Sequence, residues 1–139
     1  MADINSKLEI GVTASRTKTI TDADIRAFAL ASGDTNSVHL DEEAAARSRF
    51  GRRIAHGMLT ASVISAVLGN DLPGPGTIYL GQDLKFKAPV FLDDTITATV
   101  ELIQYREEKR IATFRTTVTN QAGVLVIEGE AVVIAPAAT

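Results

Sequence analysis

Between Gly57 and Gly69 the chain reads GMLTASVISAVLG, with no charged residue and with apolar or small side chains on every side of a helical projection. A helix that is apolar all round has no face to offer water and is normally enclosed by protein. The uncharged run reaches only from Ile54 to Asn70, short of the roughly 20 residues a membrane span needs. A buried helix is therefore expected. In a chain of 139 residues, only a sheet curling around that helix would enclose it.

The sequence after the helix supplies such a sheet. In Ile78–Ala88, the residues Ile78, Leu80, Leu84, Phe86 and Ala88 point one way, and Tyr79, Asp83, Lys85 and Lys87 point the other. Ile96, Ala98, Val100 and Leu102 alternate with Thr95, Thr97, Thr99 and Glu101. Ala112, Phe114 and Val118 alternate with Thr113, Arg115 and Thr117, and Val124–Ile134 forms the last strand. This period of two marks strands with one buried face. The polar stretches Glu107–Arg110 and Asn120–Gly123 read as hairpin loops. A weaker strand is expected around Leu8–Thr19.

Before the buried helix the signals are helical. Thr21 and Asp24 have capping-box spacing, Ile25, Phe28 and Ala29 share a face, and Gly33 is placed to end the helix in a left-handed turn. Asp34–Leu40 reads as a loop. Asp41 then caps a second, short helix, with Glu42 and Glu43 in its first turn and Arg47 and Arg49 near its end, as the helix dipole favours. The sum is one α+β domain over residues 1–139: an antiparallel sheet of about five strands wrapped around a long central helix, the hot-dog arrangement. Its terminal strands leave edges, so a homodimer is expected.

Composition narrows the function classes. The net charge is -3 and no basic run appears, so nucleic acid is not an expected partner. Cysteine is absent, which removes a disulfide framework, a thiolate nucleophile and a cysteine zinc site and fits a cytoplasmic chain. Met1–Lys7 is polar, with no apolar leader core.

The chemistry concentrates in Ser32–Asp41, SGDTNSVHLD. Asp34 and His39 converge if the loop curls, and a carboxylate with an imidazole suits general acid–base work. Asn36 would orient a water or hold the loop. On spacing alone a plainer reading stands beside this one: Asp34 satisfies a turn and His39 is an ordinary loop histidine. No HxxxH or HxH spacing makes His39 and His56 metal ligands, and no GxSxG elbow supports a serine hydrolase.

A second candidate is Arg53–Leu59, RIAHGML. Gly57 opens the buried helix, where backbone N–H groups are unpaired and carry partial positive charge. Such an end stabilises a developing oxyanion, and glycine admits a close approach. Easing helix packing explains Gly57 equally well.

The run SGDTNSVHLDEEAAARSRFGRRIAHGML resembles the MaoC-like, (R)-specific enoyl-CoA hydratases, whose pattern is S-G-D-x-N-P-L-H-x-D, a short helix, then I-x-H-G-M. IYLGQDLKFKAPV (Ile78–Val90) is similar to that family's strand after the central helix, and the likeness runs from about Ile10 to Pro136. The length matches short members such as those supplying (R)-3-hydroxyacyl-CoA for polyhydroxyalkanoate synthesis. The chain departs from the pattern at Ser37 and Val38, where Pro and Leu are usual.

The resemblance implies that Asp34 and His39 are the catalytic pair, holding the water and acting as base and acid on one face of the substrate, with either role open to either residue. It implies that Asn36 lies beside them and that the Gly57 N–H binds the thioester oxygen. Ser65 and Leu68 match positions near the acyl pocket. It further implies a homodimer acting on acyl-CoA, without metal or other cofactor. Arg52, Arg53, Lys85 and Lys87 are candidates for the CoA phosphates. A 3-hydroxyacyl thioester dehydratase, a hot-dog thioesterase and a non-catalytic acyl-binding module are the competing readings, since fold alone does not decide function.

Overall fold

The computed structural model describes residues 8–137, so the expectation for Met1–Lys7 lies outside the described residues. In chain order the elements are β1 (Thr13–Thr19), α1 (Asp22–Ser32), α2 (Ser37–Leu40), α3 (Glu42–Ala46), α4 (Gly57–Asn70), β2 (Ile78–Gln82), β3 (Lys85–Phe86), β4 (Thr95–Arg106), β5 (Ile111–Thr119) and β6 (Leu125–Ile134). The strands pair antiparallel in the order β1-β4-β5-β6-β2, with β3 also on β6. α4 packs on β1, β4 and β5. The hot-dog expectation holds, with six strands rather than about five.

Alternation explains the sheet. Ile96, Ala98, Val100 and Leu102 of β4 and Ala112, Phe114 and Val118 of β5 are all wholly buried. Thr116 interrupts the apolar series on β5 yet is also buried, its hydroxyl donating to the Gly129 carbonyl at 3.0 Å. The opposite face of β4 is a hydroxyl ladder to β1: Ser15–Thr99, Thr17–Thr97 and Thr19–Thr95, at 2.8 to 2.9 Å. Such cross-strand hydroxyl pairs fix register on a solvated face.

Two expectations are corrected. Ile78–Ala88 is not one continuous strand. A register shift between Tyr79 and Gly81 breaks the alternation, and Asp83 takes up the Glu130 backbone through both its N–H and its carboxylate. The chain resumes as β3, and Ile78, Leu80 and Phe86 remain more than half exposed. Nor is α4 enclosed all round. It buries Leu59, Val63, Ile64, Val67 and Leu68, while Met58, Ser62, Ser65 and Gly69 form an uncovered stripe. Among the described residues, no helix is long and apolar enough to cross a membrane.

The elements before α4 position the site. The capping box forms as read: Thr21 Oγ1 accepts from the Asp24 N–H at 3.2 Å, and Asp24 Oδ2 accepts from the Thr21 N–H at 2.9 Å. Gly33 ends α1 at φ 81°, a conformation that glycine adopts without strain, and the chain turns into the Asp34 segment. That segment is not all loop. Asn36 Oδ1 accepts the Val38 N–H at 3.2 Å and caps the single turn of α2. Ser37 is the first residue of that turn, a position where proline is also tolerated, so its departure from the family pattern leaves the turn formed. Asp41 caps α3 through the Glu43 and Ala44 N–H groups.

Candidate active site

α2 carries His39 inward. Its ring is buried and its Nδ1 lies 2.8 Å from the Ile54 carbonyl oxygen. A carbonyl only accepts, so Nδ1 carries the hydrogen and Nε2 holds the lone pair of the neutral ring. The preceding residue, Arg53, donates from Nε to the His39 carbonyl at 2.7 Å. Its guanidinium is anchored by Asp22 Oδ1 at 2.5 Å and Glu42 Oε1 at 3.3 Å. Two consecutive residues thus hold His39 by its backbone and by its ring.

Arg53 is only 5% exposed, which removes it from the phosphate-binding candidates. Replacing it with Met leaves the His39 carbonyl without its donor. The expected cost is about 1–3 kcal/mol of stability, measured by denaturant unfolding, with a loss of activity in the protein that remains folded.

His56 completes the group. Its Nε2 donates to the backbone carbonyl of Asp34 at 2.9 Å, and its ring stacks on His39 with centroids 4.0 Å apart and planes 28° apart. The Asp34 side chain is exposed, with Oδ1 accepting the Asn36 N–H at 3.2 Å. One ligand-type atom from each of Asp34, His39 and His56 falls within 4.8 Å of the others. Backbone carbonyls engage one nitrogen of each imidazole, leaving His39 Nε2 and a buried His56 Nδ1. As a metal site this donor set is thin.

All three line one cleft of about 560 Å³, together with Gly57, Phe86 and Lys87. Burial pushes the His39 imidazolium pKa below its ordinary value. The Ile54 carbonyl opposes that shift, His56 adds to it, and the Asp34 carboxylate opposes it. The neutral ring is the form favoured near pH 7.

Gly57 opens α4 and lines the cleft, and the first N–H groups of a helix have no acceptor within it. A Cβ on Gly57 would stand 2.6 Å from Phe86 Cε1, so the glycine does admit a close approach, here by an aromatic ring. Ser65 lies elsewhere, in a second cleft of about 530 Å³ that shares Met58 with the first and includes Tyr79 and Leu80.

Leu68 does not reach either cleft; it is 1% exposed, in the core cluster. Asn36 lines neither cleft and acts through the loop, as the α2 cap and as a backbone donor to Asp34. Sequence reasoning missed the Ile54 carbonyl, the Arg53 anchor and the His56 side chain. For His56 the signal was present in its place directly before Gly57.

The chain matches the family model described as a MaoC like domain over residues 3–124. It is 57% identical over 127 residues to an (R)-specific enoyl-CoA hydratase of Rhodospirillum rubrum, covering 91% of this chain and 88% of that protein. It is 45% identical over 129 residues to a 3-hydroxybutyryl-CoA dehydratase of Methylorubrum extorquens, covering 93% and 82%. A solved structure, the (R)-hydratase from Aeromonas caviae involved in polyhydroxyalkanoate biosynthesis, superposes with a TM-score of 0.90 at 50% identity, covering 93% of this chain and 98% of that one. With the Asp34–His39 cleft at the tip of its central helix, the chain belongs to the MaoC-like family.

Proposed function

We propose that the chain is an (R)-specific enoyl-CoA hydratase in which His39 is the base, Asp34 holds the water and the N-terminus of α4 receives the thioester oxygen. The observation that carries this reading is that the Asp34 and His39 side chains and Gly57 all line one cleft.

The substrate lies with its thioester oxygen toward the Gly57 N–H and its acyl tail along Met58. A water held by the Asp34 carboxylate gives one proton to His39 Nε2 while its oxygen bonds to the β-carbon. The carbon–carbon π pair moves into the thioester, forming an enolate whose oxygen is stabilised by the helix terminus. The imidazolium then returns that proton to the α-carbon. Both new bonds form on one face, so addition is syn. The two protons and the oxygen of one water are all accounted for, and we propose no metal or redox cofactor.

The reverse direction is the dehydratase reaction of the same site. A homodimer belongs to the proposal, supported by the exposed Ile78, Leu80 and Phe86 on the β2–β3 edge and by the uncovered stripe of α4; a cytoplasmic location is part of it as well. Lys87 and Arg49 line the cleft and are the cations nearest to hand for the CoA phosphates.

Crotonyl-CoA is the test substrate. The expected outcome is loss of the conjugated double bond, no release of free thiol, and (R)-3-hydroxybutyryl-CoA by chiral analysis. Thiol release would instead make this a thioesterase, and the (S)-alcohol would contradict the assignment.

The pH profile gives a second expectation. Hydration needs neutral His39, whose pKa is lowered by burial. On lowering the pH, kcat/KM holds until below the ordinary histidine value of about 6.5, then falls tenfold per pH unit. An acid limb centred above that value would argue against His39 as the base. Stability has the same sign. The unfolded histidine binds its proton first, so the contribution of the neutral native ring declines as pH falls below about 6.5.

A further inference from the structure

We propose that His56 is a positioning residue for this reaction: its N–H fixes the Asp34 backbone, its ring backs His39, and its peptide opens the oxyanion helix. The inference rests on the hydratase reading but concerns a side chain that reading leaves without a task.

Three observations support it. His56 is 2% exposed, and its ring sits between Phe28, at a centroid distance of 4.9 Å, and His39, at 4.0 Å. Its Nε2–H is committed to the Asp34 carbonyl. Its Nδ1 is buried without a hydrogen-bond partner, as is Thr60 Oγ1 one turn further along α4. Unsatisfied buried polar atoms are rare and call for a reason. A phenylalanine would fill the slot without one, so packing alone does not explain an imidazole here.

The chemistry supplies the reason. The Asp34 carbonyl selects the Nε2–H tautomer and leaves Nδ1 as the lone-pair nitrogen. The backbone that carries Asp34 and the ring of His39 are thereby both held by one side chain at the start of α4. The charged groups around the pair are Asp34 on the loop, Arg53 on the His39 carbonyl with Asp22 and Glu42 behind it, and Arg49 and Lys87 along the cleft.

The test compares His56→Phe, which keeps the ring but not the donor, with His56→Gln, which keeps a donor but not the ring. His56→Phe is expected to lower kcat for crotonyl-CoA by about tenfold to a hundredfold, as small misplacements of reacting groups do, with KM little changed. His56→Gln recovers part of that loss. Its acid limb of kcat/KM moves to higher pH, because the neighbouring imidazole no longer opposes charge on His39.

Wild-type protein provides a measurement independent of folding of the variants. Imidazole ¹⁵N NMR should show His56 held as the Nε2–H tautomer. Unchanged kcat in folded His56→Phe, or an Nδ1–H tautomer of His56 in the wild type, overturns the inference. Failure of the hydratase reading itself looks different: the wild-type protein would then leave the double bond of crotonyl-CoA in place or release free thiol.

Discussion

His39→Gln is expected to lower kcat for crotonyl-CoA hydration by about 10²–10⁴-fold, the range general acid–base groups contribute. Glutamine still offers an N–H to the Ile54 carbonyl, so the contact at 2.8 Å has a replacement and α2 keeps its place. What glutamine lacks is a basic nitrogen toward the cleft. The loss of ring stacking on His56 and of buried volume adds a stability change of about 1–3 kcal/mol, small enough to leave folded protein to assay. Steady-state kinetics with a parallel thermal melt separates the two effects. A melt shifted without loss of kcat would show His39 to be structural only.

Asp34→Asn is the cleaner variant. The side chain is exposed, and an asparagine Oδ1 still accepts the Asn36 N–H that Asp34 Oδ1 accepts now. The stability change should stay within about 0.5 kcal/mol. In the proposed mechanism the carboxylate charge orients the water and faces the growing imidazolium, so its loss is expected to lower kcat by about 10²–10³-fold with KM little affected. Hydration at full rate by a folded Asp34→Asn protein would contradict the mechanism.

The parts of this structure legible in the sequence are those written in local patterns. The Thr21–Asp24 box and the Gly33 stop involve residues three or four apart and formed as read. The inward residues of β4 and β5 follow from period-two alternation alone. Asp34 and His39 were nameable as candidates because they share one short segment with Gly33 at its start, and as a pair through the family resemblance.

What was not legible depends on distance along the chain or on shape. The four residues of α2 are fewer than a periodicity count requires. Arg53 looked like a surface cation because its partners, Asp22 and the His39 carbonyl, come from other elements. On α4 the very absence of charge that marked the helix as buried hid which side faces a cleft. Ser65 reaches one and Leu68 does not. Ile78–Ala88 alternates in sequence, yet Gly81 and Asp83 break it in space.

The central claim is that one carboxylate and one imidazole act on the substrate from the same side. Hydration of crotonyl-CoA in deuterium oxide tests it most directly, with NMR of the product assigning the relative configuration at the two carbons. The account predicts deuterium at the α-carbon on the same face as the new β-hydroxyl. Deuterium on the opposite face would contradict it, because no proton held on His39 reaches that side.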